Sequence, residues 1–461
     1  MKRINIPRPN QLALVIAAAF FSQATWADSG DTPATPATPA PPVQPEASSP
    51  TTGTAVTSGG SWFDTTTSAG QQAFTPSYEQ GATGPGGGGT KTAVARGAPI
   101  VTSSGIFIYP NVNLGAGYND NIIATPTNAI SSYLVTLQPS FVGEMKTHGD
   151  RYTVDYAGNY TQYTSDSNDN FYNNTLMFAG DDFFGSRTRL SWDAGYITRS
   201  DPRGSTDRPT ATGPDRWHSL LGSGLFAYGS AGAIGRVEVE ASEQEKRYDN
   251  DLLFTQAGDL NLSNVAARFF YRISPKTSLL FEFRNTKAEY QLAGTLLDNT
   301  ERRYYVGTTW EATAATTGTI KVGRLTKDFD SPGTQNFAGS SWEAAIRWKP
   351  RTYSSFDLVT SKSTADPTGF GEYLVNQNVS VAWTHNWTTY LTSRVTAGLL
   401  KTDFAGTDRN DDMKNYGLGL TYEMRRWLRV SLDWTGTRRT SSQSQFDFDR
   451  NVTMLTLEGT L

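Results

Sequence analysis

The stretch Asn415-Tyr416-Gly417-Leu418-Gly419-Leu420-Thr421-Tyr422-Glu423-Met424 runs through Arg425-Arg426-Trp427 into Leu428-Arg429-Val430-Ser431-Leu432-Asp433-Trp434-Thr435. Tyr416, Leu418, Leu420, Tyr422 and Met424 alternate with small or polar residues, as do Leu428, Val430, Leu432 and Trp434. A period of two is the signature of strands. So few residues separate the two runs that they must pair antiparallel through a tight turn. Aromatics mark the ends of the apolar stripe, Tyr422 and Trp427 at the turn and Tyr416 and Trp434 far from it. An apolar band between aromatic girdles, with polar residues behind it, is the layout of a membrane barrel strand.

Working outward from this hairpin, the same rhythm recurs along the chain. Candidate strands fall at 106–118, 133–145, 151–163, 171–183, 187–199, 216–228, 234–248, 260–273, 277–290, 301–314, 317–327, 339–349, 353–363, 372–385, 388–402, 412–424, 427–440 and 450–461. The expectation is an all-β fold, a transmembrane antiparallel β-barrel of about 18 strands, occupying residues 102–461. Short connections alternate with long ones rich in Asp, Asn, Gly and Pro, which fits short periplasmic turns and longer outer loops. The last segment carries Leu455, Leu457 and Leu461 on one face, as a closing strand should, although a terminal aromatic is the usual ending.

The bulk composition agrees. Only 37% of the 461 residues are hydrophobic and mean hydropathy is -0.45, and no segment after the N-terminus reaches the roughly 20 apolar residues of a spanning helix. There is no cysteine, so disulfides and thiolate chemistry are excluded. Lys2, Arg3 and Arg8, an apolar core over 12–21 and Ala24-Thr25-Trp26-Ala27 read as a signal peptide over 1–27. Without those three bases, 37 basic residues face 44 acids, a net charge of -7 that argues against nucleic acid as a partner. Residues 28–101, rich in Pro, Thr, Ser and Gly, read as a disordered periplasmic arm. Within it, Trp62, Phe63, Phe74 and Tyr78 form an aromatic island suited to docking a periplasmic export-machinery partner.

Gly115-Ala116-Gly117-Tyr118-Asn119-Asp120-Asn121-Ile122 closes the first strand after this arm, and Asp201-Pro202-Arg203-Gly204-Ser205 follows Tyr196-Ile197-Thr198-Arg199. With the alternating strands, these segments resemble the outer-membrane β-barrel porin family whose members sit in exopolysaccharide gene clusters. The resemblance implies a conduit or accessory for exopolysaccharide export. The residues themselves leave open a general or substrate-selective solute porin, an outer-membrane barrel hydrolase, or a structural or adhesive surface protein. The expected partners are outer-membrane lipid and a polysaccharide or other hydrated solute.

Parity sorts the chemistry-bearing residues between the two faces of the wall. Ser165-Asp166-Ser167-Asn168-Asp169-Asn170 offers oxygen ligands, but lacks the glycine and closing glutamate of a calcium loop, so a solvated hairpin tip accounts for it and no metal or cofactor is expected. His218 lies near Ser219 and Asp215, yet adjacent strand residues point to opposite faces, which weighs against a hydrolytic site. The inward face is the better candidate. Opposite outward apolar neighbours, the residues Asp193, Arg236, Glu238, Glu240, Arg268, Glu282, Arg284, Glu343, Arg347, Arg429 and Asp433 are expected to line the lumen. Tyr305 is expected there to stack on sugar rings. The loop over 199–215, stiffened by Pro202, Pro209 and Pro214, is expected to fold inward as a constriction bearing Asp201, Arg203, Asp207 and Arg208.

Overall fold

The computed structural model describes residues 97–203, 212–230, 232–313, 315–367 and 371–461. The signal segment, the arm as far as residue 96 with its aromatic island, and Asp207 and Arg208 lie outside the described residues, whereas the last residues of the expected arm, 97–101, are described. A two-residue strand β1 (Ile100–Val101) precedes the barrel, which is built from β2 (Phe107–Asn119), β3 (Ser132–Thr147), β4 (Asp150–Tyr163), β5 (Phe171–Phe184), β6 (Thr188–Asp201) and β7 (Asp215–Tyr228). It continues through β8 (Gly235–Tyr248), β9 (Leu260–Ser274), β10 (Thr277–Tyr290), β11 (Asn299–Thr313), β12 (Thr316–Phe329) and β13 (Phe337–Arg351). The last six are β14 (Ser354–Ala365), β15 (Leu374–Asn386), β16 (Leu391–Phe404), β17 (Asn410–Arg425), β18 (Leu428–Ser441) and β19 (Phe448–Thr460). Each strand pairs antiparallel with the next, and β19 pairs with β2, so the 18 strands close on themselves. The boundaries agree with the alternation of the sequence to within three residues, because the period-two pattern carries most of the information that places a barrel strand.

Closure matters because lipid offers no hydrogen bonds, and each unsatisfied backbone group there costs several kcal/mol. The seam joins nine residue pairs, from Val452↔Asn119 to Thr460↔Asn111. It is clamped at both ends. At the long-loop end Asp120 accepts from the Asn451 backbone N–H at 2.6 Å and from Asn451 Nδ2 at 2.8 Å. At the other end Asn111 Nδ2 donates to Glu458 Oε1 at 2.9 Å. Gly115 and Gly117 face inward beside Met454, where a Cβ on Gly115 would run into the Thr136 hydroxyl and one on Gly117 into the methionine sulfur. The Gly-Ala-Gly-Tyr-Asn-Asp-Asn segment is therefore a seam device, its glycines clearing space and its polar residues pinning the junction.

Facing follows the alternation. Leu418, Leu432 and Leu455 are about half exposed on the outer face, whereas Asn415, Thr437 and Arg450 are buried on the inner one. Outward tyrosines gather toward the long-loop end, among them Tyr118, Tyr133, Tyr172, Tyr196, Tyr304 and Tyr416. Tyr390, Tyr422 and Trp427 gather near the short turns, as girdles at two membrane interfaces would. No helix among the described residues is long and apolar enough to cross a membrane.

The inner wall is not uniformly polar. Ile122 from the first long loop packs on Leu134, Tyr163, Phe171, Val452 and Met454. Asn121 holds that loop in place, its Nδ2 donating to the carbonyls of Thr125 at 2.9 Å and Asp449 at 3.0 Å. The loop expected to constrict the pore is anchored differently. Asp201 is the last residue of β6, and it accepts from Trp217 Nε1 at 3.0 Å and from the Tyr248 hydroxyl at 3.2 Å. Arg203 pairs with Asp169, and with Asp166 at 3.2 Å. The Asp169 hydrogen bond raises the Arg203 guanidinium above its ordinary range. The carboxylates that resembled a calcium loop thus tie two long loops together.

Candidate functional site: the inner wall from β8 to β13

Parity puts Glu238 and Glu240 of β8, Arg268 of β9, and Glu282 and Arg284 of β10 on the inner face. The register sets Arg268 directly opposite both Glu238 and Glu282. Its guanidinium bonds Glu240 at 2.7 Å and Glu282 at 3.2 Å, and lies 3.9 Å from Glu238. Arg236 meets Glu238 at 3.0 Å. Arg284 then bonds Glu282 at 2.5 Å and reaches Glu343 of β13 at 3.4 Å. Lys321 of β12 bridges the same two acids, at 2.6 Å from Glu343 and 3.1 Å from Glu282.

That reach has a structural cause. β10 and β13 are three strands apart, about 14 Å along a flat sheet at the usual strand spacing. Between them the inward positions beside Tyr305 and Lys321 are glycines: Gly323 opposes Tyr305 and Gly307 opposes Lys321. With no Cβ in either place, the Lys321 chain lies close over Gly307 and charged groups from four strands meet. Glu343 is fully buried at 0% exposure. A buried charge is tolerated only when paired and hydrogen-bonded, and here each of these acids has a basic partner.

Tyr305 is inward and buried. Its hydroxyl lies 2.7 Å from Ser341 Oγ and donates to Glu343 at 3.2 Å, and Lys321 Nζ lies 5.1 Å from the ring centroid. Contact with a sugar ring therefore requires this ring to be uncovered first. The remaining parity assignments lie elsewhere on the inner wall. Asp193 accepts from Ser223 on β7. Near the short turns, Arg347 bonds Asp357 at 2.5 Å. Arg429 joins Glu423 at 2.6 Å and Glu458 at 3.1 Å, and Asp433 lies opposite Gly419. They belong to separate pairs, outside the β8–β13 cluster. His218 and Ser219 diverge: His218 meets Asp249 at 2.7 Å, while Ser219 accepts from Gln244 at 3.0 Å on the opposite face.

Several residues that the sequence reading passed over are central to the site. Arg303 of β11, 1% exposed, stands directly opposite Arg284, pairs with Glu301 and lies 3.6 Å from Glu343. Its Nε and Nη1 have no hydrogen-bond partner among the described residues. Beside it lies a small cavity lined by the cations Arg303 and Lys327, the carboxylates Glu301 and Asp366, the polar Thr286, Asn299 and Thr364, and the apolar Leu262, Ala288 and Ala365. Lys327 bonds Asp366 at 2.6 Å, and Thr364 donates to Glu301. Lys321 was open to the same parity argument, since it sits between Ile320 and Val322. Arg303 was harder, because the Arg302-Arg303 doublet shows a charge on both faces.

Similar folds are known. A BenF-like porin from Pseudomonas fluorescens is 11% identical, with 77% of this chain and 99% of that one covered and a TM-score of 0.45. Pseudomonas aeruginosa OccK2 (OpdF), solved in complex with glucuronate, is 12% identical, with 77% and 98% covered and a TM-score of 0.45. Pseudomonas aeruginosa OpdK, solved with vanillate, is 11% identical, with 77% and 98% covered and a TM-score of 0.43. No curated protein matches the chain. The family model described as "Putative beta-barrel porin 2" matches residues 102–460, the whole of the closed sheet, and the chain belongs to that family of outer-membrane barrels.

Proposed function

We propose that this barrel is a substrate-selective solute porin, and that its inner wall holds small solutes with an apolar body and an oxygen-acceptor head. The observation that carries this reading is Arg303, buried with N–H donors that make no hydrogen bond among the described residues, beside a cavity that also holds the apolar side chains Leu262 and Ala288. A buried donor left unsatisfied costs about 1–3 kcal/mol, more when charged. A solute oxygen placed there would recover that cost. Transport by this wall involves no chemical step. The exopolysaccharide conduit implied by the family resemblance is the weaker reading, because Arg268, Glu282, Arg284, Lys321 and Glu343 are paired with one another rather than presented to a polymer.

The test is transport by the purified barrel in planar bilayers and swelling liposomes, with benzoate and glucose as probes. Benzoate should interrupt the single-channel current and enter faster than glucose. Arg303→Gln should remove that preference while leaving an open channel. Equal entry of both probes, or a preference that survives the substitution, would refute the assignment.

A further inference from the structure

The outer face carries an ordered arrangement of charge that the channel reading does not use. Past the apolar stripe, toward the long loops, outward positions are basic on six of the nine strands from β10 to β18: Lys287 on β10, Arg324 on β12, Lys362 on β14, Lys401 on β16, Lys414 on β17 and Arg438 on β18. On four of these strands an outward acid follows farther from the membrane, Glu289, Asp328, Asp403 and Asp412. Because β17 runs opposite to β10, β12 and β16, a simple sequence repeat does not produce this layering. Basic groups lie next to the lipid band, and acids lie beyond them.

The sharpest case is on β17 and β18. Lys414 stands directly opposite Arg438, a cross-strand contact in which like charges destabilise a sheet. Lys414 is exposed and has no ion pair among the described residues, and Arg438 reaches only Asp449, at 3.5 Å with both side chains 67% exposed. The next outward residues toward the membrane are Tyr416 and Leu418, each about half exposed. An anion between the two cations would turn repulsion into a bridge, with the planar guanidinium suited to paired contacts to phosphate oxygens. The apolar stripe directly below continues the bilayer face, so the anion that fits is one carried on acyl chains.

We propose that Lys414 and Arg438 form a binding site for the phosphorylated headgroup of a glycolipid in the leaflet on the long-loop side, its chains lying along Tyr416 and Leu418. The proposal is independent of the solute reading, since it uses the opposite face of the sheet.

The experiment counts lipid bound to the full barrel in neutral detergent by native mass spectrometry, with diphosphoryl lipid A, its dephosphorylated form and inorganic phosphate as probes. The wild type should hold the diphosphoryl form and release the dephosphorylated one. At about fivefold per basic residue near an anionic surface, Lys414→Gln should weaken binding about fivefold and the Lys414→Gln/Arg438→Gln pair about 30-fold. The charge-preserving Lys414→Arg/Arg438→Lys pair should bind as the wild type does. Heat-modifiable migration reports assembly, and the single variants carry the test if the double variant does not assemble. Unchanged binding in the glutamine variants overturns the site. Equal binding of dephosphorylated lipid removes the headgroup role, and displacement by inorganic phosphate at matching concentration reduces the site to a simple anion contact.

Discussion

Replacing Glu343 by Gln should be among the most damaging single changes in the wall. Glu343 is completely buried, its Oε2 lies 2.6 Å from Lys321 Nζ, and its Oε1 faces Arg284 at 3.4 Å and Arg303 at 3.6 Å. The amide takes one carboxylate from Arg284, Lys321 and Arg303; the first two keep their contacts with Glu282, and Arg303 keeps its contact with Glu301. Breaking a buried pair from one side costs about 3–5 kcal/mol, because a charge is left without compensation. At about 1.4 kcal/mol per factor of ten, the folding equilibrium falls by roughly two to three and a half orders of magnitude. The assay is urea unfolding in lipid vesicles followed by tryptophan fluorescence, with heat-modifiable migration as a second readout. The Lys321→Met/Glu343→Met pair removes one charge of each sign and should fall within about 1 kcal/mol of the wild type. If Glu343→Gln loses less than about 1 kcal/mol, or the pair is as damaging as the single change, the cluster is not an interdependent network and the buried-charge argument fails.

Two further outcomes test the facing of the wall and the loops above it. Leu432→Arg should impair assembly by about 2–4 kcal/mol, since a base on the lipid face near the midplane is costly, whereas Ser431→Arg on the neighbouring inward position should assemble normally; equal migration of both on unheated gels would contradict the parity. Deleting residues 204–213 should raise single-channel conductance, as expected of a constricting loop, and unchanged conductance would move attention to the first long loop and Ile122.

The strands and their facing could be read from the sequence because each residue's environment in a barrel wall depends mainly on its parity. Glu238, Glu282 and Glu343 fell on the inner face for that reason alone. Which of them meet could not be read. Contact between Arg284 and Glu343 depends on the register of four strands and on two intervening glycines, and both are properties of pairing rather than of any one segment. The apolar patch around Leu134 and Phe171 was hidden for another reason. Tyr133, Leu134 and Val135 are all apolar in sequence, so alternation does not distinguish the inward residue from its neighbours. Arg303 was obscured by Arg302 in the same way.

The seam between β2 and β19 also has a kinetic meaning. Asp120 and Asn451 are 331 positions apart, so the contact that completes the barrel is among the least local the chain makes. Loop-closure entropy grows only slowly with length, but pairings of this separation are late and slow to form. Until the last strand arrives, β2 presents an open edge, the kind of surface on which strands of other chains add. Asp120, Asn121 and the two cleared glycine positions shape a docking edge before its partner exists, so their substitution should show first in the yield and speed of assembly and only afterwards in the stability of the finished barrel.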